Sequence, residues 1–255
     1  MTTQRSPTPQ KAARDAQARL RALANPEVAA GGRKFFKQGD SVRLLGVKAP
    51  QVRALAGELY REVKSAWHVA DAVAFCDAMS RARELEARVL GVLLLGRYRR
   101  VYERTLLRRV EQWIREGRFH NWAEIDALAP GVVTPLIERF PDLVPRVMGW
   151  TSSRNQWMRR AAVVSLVLPA RRGEKLDVAY RVVRGLLDDR EDLMHKACGW
   201  LLREAGKTDM ARLERFLLQY GSSMPRTSVR YAIERFPERK RKQLLMETKT
   251  PASSR

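Results

Sequence analysis

The chain is a succession of segments in which apolar residues recur every three or four positions, the period of an amphipathic α-helix. The segments are rich in leucine and alanine, which favour helices, whereas isoleucine occurs only four times. No run of residues alternates apolar and polar side chains as a β-strand does. The pattern predicts an all-α protein, with glycine and proline ending the helices at Gly117, Pro130-Gly131, Pro141, Gly149, Pro169, Gly173, Gly206, Gly221 and Pro225.

A short pattern recurs along the chain, a basic residue followed by small or apolar residues within a helical segment. It begins at Arg88, Arg160, Lys196 and Arg230, so neighbouring members are about 36 residues apart or about twice that distance. The member missing from the wider gap should fall near position 124, within 122–129. A period in this range, with two helices in each repeat, is typical of an α-solenoid of HEAT-like helical repeats.

In such a solenoid, equivalent helices line one surface, and we predict a concave basic groove there. A groove of this kind suits duplex DNA. It also suits peptides in scaffold proteins, so the fold alone does not decide the function.

The predicted organisation is a single HEAT-like repeat domain over 11–246, between a disordered N-terminal lead, 1–10, and a flexible C-terminal tail, 247–255. The lead holds two prolines among Ser, Thr and Gln, and it lacks the apolar core of a secretion signal. The longest stretch without a charged residue is only 127–137, too short to span a membrane. The cysteines, Cys76 and Cys198, fit neither a disulfide framework nor a zinc site. These features predict a cytoplasmic protein, associated at most with a bacterial nucleoid.

The charge of the chain adds to this picture. The sequence has 49 lysines and arginines but only 28 aspartates and glutamates, which gives a net charge of +21. Arginine supplies 38 of the basic residues, and its planar fork suits bidentate contact with phosphate. The excess is not confined to a tail, since 146–173 holds six arginines and no acid. A basic stripe within a folded domain favours a nucleic-acid groove, and codon bias with a solvated surface is the alternative.

Candidate chemistry first appears at Trp122 and Asp126. Their spacing of four residues places an indole and a carboxylate side by side on one helix face. Such a pair is more often a core tryptophan beside a salt-bridged acid, so it needs support from other segments.

Two later segments give that support. The first, 150–162, is rich in tryptophan and arginine and contains no acid. In the second, 196–204, Trp200 lies one turn after Lys196, and Arg203 lies about one turn further on. Random core packing does not predict aromatic and charged groups in a similar register of three consecutive repeats.

Together these segments resemble the AlkD-type DNA alkylation-repair glycosylases, a family built from HEAT-like repeats. The resemblance extends from about residue 35 to about residue 236. Its specific motifs are Trp-x-x-x-Asp at 122–126, Trp-x-x-Arg-Ala at 157–161 and Lys-Ala-x-Gly-Trp-x-Leu-Arg-Glu at 196–204, and the segments 34–37 and 45–50 also look similar.

The resemblance implies a DNA repair enzyme in which Asp126, Trp122 and Trp200 line the catalytic cleft, while Arg160 and Arg203 approach the DNA backbone at the lesion. Phe36 is the nearest aromatic residue to a position where a well-studied type of member has a tyrosine, so a hydroxyl contact is lost. The full set of predicted DNA-binding residues is Arg160, Arg203, Arg159, Arg154, Lys196 and Phe36.

The implied reaction is hydrolysis of the N-glycosidic bond of a cationic alkylated purine, of the 3-methyladenine or 7-methylguanine type, in duplex DNA, which leaves an abasic site. Such a base leaves without a strong general acid, and a carboxylate such as Asp126 stabilises the positive charge that develops on the sugar. The indoles of Trp122 and Trp200 favour a cation. No lysine stands in a Schiff-base context, so we expect a monofunctional glycosylase. We also expect a monomer with no metal and no cofactor.

The competing hypothesis is a catalytically inactive HEAT-repeat protein that binds nucleic acid or serves as a scaffold. The enzyme is favoured by the intact Trp122, Asp126, Arg160, Trp200 and Arg203, whereas the altered position at Phe36 favours the inactive protein. Base release from methylated duplex DNA, compared with binding to undamaged duplex, separates the two.

Overall fold

The computed structural model describes residues 7–38 and 40–249, and these form two compact units that meet in the sequence between Arg139 and Phe140. Within the described residues the chain is helical and contains no β-strand, only an isolated bridge between Arg43 and Glu84. The all-α prediction is confirmed. The single repeat domain predicted over 11–246 runs through both units and stays a prediction.

The helices of the first unit are α1 (Pro9–Ala22), α2 (Pro26–Arg33), α3 (Ala49–Val63), α4 (Val69–Ser80), α5 (Leu85–Leu95), α6 (Leu106–Arg115), α7 (Trp122–Leu128) and α8 (Thr134–Arg139). Helices α3, α5 and α7 pack side by side in one row, and α1 and α4 pack on each other and on α5. A 3-10 segment, Gly96–Val101, follows α5, and a π-helical turn, Ala129–Val133, joins α7 to α8.

The second unit repeats this arrangement of rows. Its first row consists of α10, α13 and α15, and the outer helices α12, α14 and α16 lie beside one another. The helices are α9 (Val144–Gly149), α10 (Gln156–Ser165), α11 (Val167–Arg171), α12 (Leu176–Arg184), α13 (Asp192–Ala205), α14 (Met210–Tyr220), α15 (Arg226–Ala232) and α16 (Glu238–Glu247).

The sequence period appears in the structure as polar contacts between successive helices of a row. Arg88 on α5 donates to the Glu124 carboxylate on α7 at 2.9 Å, and these residues are 36 positions apart. Arg160 on α10 donates to the carbonyl of Leu193 on α13 at 2.5 Å, a separation of 33 positions. The rows are consistent with an α-solenoid, while the HEAT-like assignment and the basic groove stay predictions.

Most predicted stops lie where helices end. Gly117 and Gly173 follow α6 and α11 with φ of +69° and +78°, a conformation that glycine adopts without strain. Gly206 and Gly221 cap α13 and α14.

Two predicted stops are wrong, because helices continue through Pro130-Gly131 and Pro169. At Pro130 the helix widens into the π-helical turn, where the Thr134 N–H reaches the Ala129 carbonyl. The hydroxyl of the buried Tyr102 donates to the Gly131 carbonyl at 3.2 Å, so this carbonyl of the turn has a hydrogen-bond partner. Pro169 stands in the first turn of α11, where backbone N–H groups need no partner inside the helix.

Ordered structure extends slightly beyond the predicted domain at both ends. Helix α1 begins at Pro9, inside the predicted lead, because Thr8 accepts from the Lys11 N–H and proline suits the first helical position. At the other end, Thr248 is buried, and Arg226 donates to its carbonyl at 2.9 Å. The remainder of the predicted lead and tail, 1–6 and 250–255, lies outside the described residues.

The two cysteines are free thiols buried within their units, Cys76 in the first and Cys198 in the second. Burial raises the pKa of Cys198 to about 12 and raises that of Cys76 further. Among residues 7–38 and 40–249 we find no helix with the length and apolar character that crossing a bilayer requires.

A half-buried carboxylate, Asp77 on α4, ties this helix to α6 and to the turn after it. Its Oδ1 accepts from the Arg109 guanidinium at 2.5 Å and from the Trp113 indole and Arg118, both at 2.9 Å. Burial by itself would raise the pKa of Asp77, but the hydrogen bond from Trp113 and the charges of Arg109 and Arg118 lower the pKa below its ordinary value.

In the second unit, α13 and α15 approach so closely that only glycine fits at position 199. A Cβ there would lie 2.5 Å from the Tyr231 Cβ and 2.7 Å from the Ser228 carbonyl oxygen. The glycine of the motif at 196–204 is therefore required for packing.

Replacing Gly199 with alanine should destabilise the protein by about 1–3 kcal/mol, because overpacking outweighs the higher helix propensity of alanine. The matched control is Gly149→Ala, since nothing lies within 4 Å of a Cβ at this helical position. We expect the control to be neutral or stabilising by up to about 1 kcal/mol. Thermal unfolding of both variants measures the difference, and an equal effect on both melting temperatures would contradict the close packing.

Replacing Asp77 with asparagine should cost about 1–3 kcal/mol at pH 7, because the amide keeps the acceptor but loses the charge. A lowered folded pKa means that the carboxylate stabilises the fold above its unfolded pKa near 4 and loses this effect as the pH falls further. The difference between wild type and variant should therefore shrink between pH 5 and pH 3 in urea unfolding. Asp15→Asn, at an exposed position of α1, should show no such dependence.

Candidate functional site

The first part of the site is α7, which carries Trp122 and Asp126. Asn121 caps the helix by accepting from the Glu124 N–H at 3.0 Å, so the helix begins at Trp122. Trp122 and Asp126 are both half-buried and line the same cavity, whose volume is about 490 Å³. The predicted pairing of indole and carboxylate on one face is therefore present.

Buried polar contacts fix the orientation of α7. The Glu124 carboxylate, only 1% exposed, accepts from Arg88 at 2.9 Å and from the His120 N–H at 2.8 Å. Arg88 also lies 3.0 Å from the His120 ring. Because these bonds join the start of α7 to α5, they hold Trp122 and Asp126 in place.

The opposite wall of the cavity comes from the segment between α2 and α3. The ring of Phe36 stacks on Trp122, with centroids 5.3 Å apart and planes inclined by 24°. Phe35 and Val47 line the same cavity, and the neighbouring Phe35 ring is largely exposed. The stack brings Phe36 to the predicted catalytic pair, but it covers one face of the indole.

A second buried carboxylate holds this wall against α5. Glu86 accepts from three consecutive backbone N–H groups, those of Leu45, Gly46 and Val47, at 3.0, 2.8 and 3.3 Å. Gly46 has φ of +78°, and a Cβ there would lie 2.0 Å from the Asn25 carbonyl oxygen. Glu86 and Gly46 thus fix the position of the backbone that forms this wall of the cavity.

Trp200, Arg203 and Lys196 all lie on α13 in the second unit. Trp200 is half-buried and directly follows Gly199, where α13 meets α15. Arg203 pairs with Glu234, and Lys196 pairs with Asp192 at 2.8 Å. Both basic groups predicted to bind DNA therefore have acidic neighbours.

A buried acid, Glu204, lies next to Arg203 and draws further basic groups together. It accepts from Arg171 at 2.7 Å and from Lys207 at 2.6 Å, and Arg203 lies 3.5 Å away. Burial by itself would raise the pKa of Glu204, but the hydrogen bonds from Arg171 and Lys207 bring the pKa below its ordinary value.

The three arginines near the start of α10 differ sharply in exposure. Arg154 is exposed. Arg159 forms an ion pair with Asp189, with its Nε 2.6 Å from a carboxylate oxygen. Arg160 is only 5% exposed, and its guanidinium donates to the Leu193 carbonyl. Of these three, Arg154 is the side chain most accessible to a ligand.

The structure thus brings Phe36, Trp122 and Asp126 together in one cavity of the first unit. The other predicted site residues lie in the second unit, namely Trp200, Arg160, Arg203, Arg159, Arg154 and Lys196. The sequence interpretation missed the exposed Arg53, which lines the cavity from α3, and the supporting acids Glu86 and Glu124. Only Glu124 had a recognisable signal, since Asn121 three residues earlier forms a capping pattern.

Comparison with known proteins adds to this geometry. No curated protein matches the chain. A solved structure described as "Predicted DNA alkylation repair enzyme from Enterococcus faecalis" matches with a TM-score of 0.73 and 18% identity, covering 85% of this chain and 98% of the other. At this identity the similarity shows the fold alone. Residues 16–236 match the family described as DNA alkylation repair enzyme, and the chain therefore belongs to that family.

Proposed function

We propose that the protein is a monofunctional DNA N-glycosylase that hydrolyses the N-glycosidic bond of cationic alkylated purines in duplex DNA. Family membership supports a role in the repair of alkylated DNA. The observation that carries the finer proposal is the common cavity of Asp126 and Trp122, in which a carboxylate lies beside an indole on a firmly held helix.

Asp126 supplies the electrostatic part of the proposed mechanism. As the alkylated purine leaves, the positive charge moves from the base to the sugar, and a carboxylate fixed beside the sugar stabilises this transition state more strongly than the ground state, in which the sugar is uncharged. Asp126 is half-buried, so its surroundings exclude part of the solvent while a sugar and a water molecule can still reach it. The same carboxylate orients the attacking water.

Trp122 supplies a π-surface beside the carboxylate. Because Phe36 stacks on one face of the indole, the sugar contacts the opposite face or the edge. The quadrupole of the ring favours a cationic sugar. In this proposal Phe36 orients Trp122, which gives the phenylalanine a role that needs no hydroxyl group.

Trp200 is proposed as the third catalytic residue, from the second unit. Basic residues of the second unit are also proposed to contact the DNA backbone, and they differ in how accessible their charged groups are to a phosphate. Arg154 is exposed and can meet a phosphate directly. Arg159, Arg203 and Lys196 must exchange an acidic neighbour for a phosphate, which reduces the net gain from each contact.

The proposed substrate is double-stranded DNA that contains 3-methyladenine or 7-methylguanine, and the products are the free base and an abasic site. A base that is already cationic leaves readily, so the site needs no strong general acid. We expect the protein to act as a monomer without a metal or cofactor.

Asp126→Asn should slow single-turnover base release from methylated duplex DNA by about 10²–10³-fold, because it removes one well-placed charge and keeps the shape. Affinity for undamaged duplex and the melting temperature should change little. The control is Asp188→Asn, which removes the same charge at an exposed position in the second unit. If both variants release base at the wild-type rate, Asp126 is not catalytic. If the wild type binds duplex DNA but releases no base, the chain is the inactive binding protein.

Arg154→Gln and Arg160→Gln should affect different properties. Because Arg154 is exposed, Arg154→Gln should reduce the slope of log affinity against log salt by about 0.9 and leave stability unchanged. Because Arg160 is buried, Arg160→Gln should cost about 1–3 kcal/mol of stability, since it leaves the Leu193 carbonyl without this donor. Salt-dependent binding to duplex DNA and thermal unfolding separate the effects. A stable Arg160→Gln protein with a reduced salt slope would instead make Arg160 a direct phosphate contact.

A further inference from the structure

A separate cavity of about 380 Å³ lies between α12 and α14 in the second unit. Three aromatic rings form a continuous wall in it: Tyr180 and Phe216 have centroids 5.0 Å apart, and Phe216 and Tyr220 have centroids 4.9 Å apart. Tyr220 is half-buried, so part of its ring is accessible. None of the proposed glycosylase residues lies on these two helices.

The cavity carries uncompensated positive charge. Arg181 and Arg184 are exposed, lie one turn apart on α12, and line the cavity. The acid in its lining, Asp177, already accepts from Arg212 at 2.6 Å. Within residues 7–38 and 40–249, no carboxylate lies within 4 Å of Arg181 or Arg184. Two guanidinium groups are therefore available to an anion.

The three rings of the wall differ in accessibility. Tyr180 and Phe216 are only 6% and 8% exposed, and the guanidinium carbon of Arg212 lies 4.6 Å from the Tyr180 ring centroid. Tyr220 is half-buried, so it is the ring of the wall that a ligand can reach.

We propose that this cavity binds a nucleotide unit. The phosphate pairs with Arg181 and Arg184, whose forks match phosphate oxygens. The base packs against the aromatic wall at Tyr220. Aromatic stacking together with arginine contacts is the usual chemistry of unpaired nucleotides on proteins. The nucleotide comes either from a free nucleoside monophosphate or from a single-stranded nucleic acid.

Isothermal titration of the full chain tests this site with four probes: dAMP, deoxyadenosine, inorganic phosphate and a short single-stranded oligonucleotide. dAMP should bind more tightly than deoxyadenosine or phosphate, because only dAMP offers both base and phosphate. Competition between dAMP and the oligonucleotide, with tighter binding of the strand, identifies nucleic acid as the source. Binding of dAMP without competition identifies the free nucleotide. Absence of saturable binding by both dAMP and the oligonucleotide would overturn the proposal.

The double variant Arg181→Gln, Arg184→Gln should weaken dAMP binding by about tenfold for each arginine removed. Because the whole chain is strongly basic, the control must remove the same charge elsewhere. Arg190→Gln with Arg235→Gln does so at two exposed positions outside the cavity, and it should change affinity by less than about threefold. An equal loss in both double variants would show a general charge effect and would contradict the site. Base release should be unchanged in both, which separates this test from the glycosylase proposal.

Discussion

The ion pair between Arg88 and Glu124 is the contact on which the candidate cavity depends. Its side chains are 13% and 1% exposed, so both charges are largely removed from water. Loss of either partner leaves a buried charge uncompensated, which typically costs about 3–5 kcal/mol. Because Glu124 lies between Trp122 and Asp126 in the sequence, the pair sets the position of both. Glu86 fixes the facing wall in the same way, by gathering three backbone N–H groups.

The sequence predicted the helical class, the period and the pair on α7, because each follows from spacing alone. It also supported the family resemblance that the match over 16–236 confirms. It could not predict that Arg160 is buried while Arg154 is exposed, because both belong to one run of basic residues. Whether an arginine faces solvent or a neighbouring carbonyl depends on contacts with residues about 33 positions away. The stack of Phe36 on Trp122 is equally non-local.

The net charge of +21 overstates the positive charge that is free to meet DNA at the predicted contacts. Acidic residues lie beside three of the basic residues predicted to contact DNA: Asp189 beside Arg159, Glu234 beside Arg203 and Asp192 beside Lys196. These pairs orient the basic side chains and also compete with phosphate. In the proposed function, total charge governs long-range attraction to DNA, and the local pairs determine which of the proposed contacts form.

The π-helical turn at 129–133 has a consequence for the phase of the helix. An α-helix advances about 100° per residue, and a π-helical turn takes in one additional residue at nearly the same total rotation. Trp122 and Asp126 precede the turn, and Thr134–Arg139 follows it. If the same residues formed a regular α-helix, the carboxylate would be rotated by about a quarter of a turn relative to α8. The irregular turn thus keeps two stretches of one continuous helix in different angular registers, so that each can face its own neighbours.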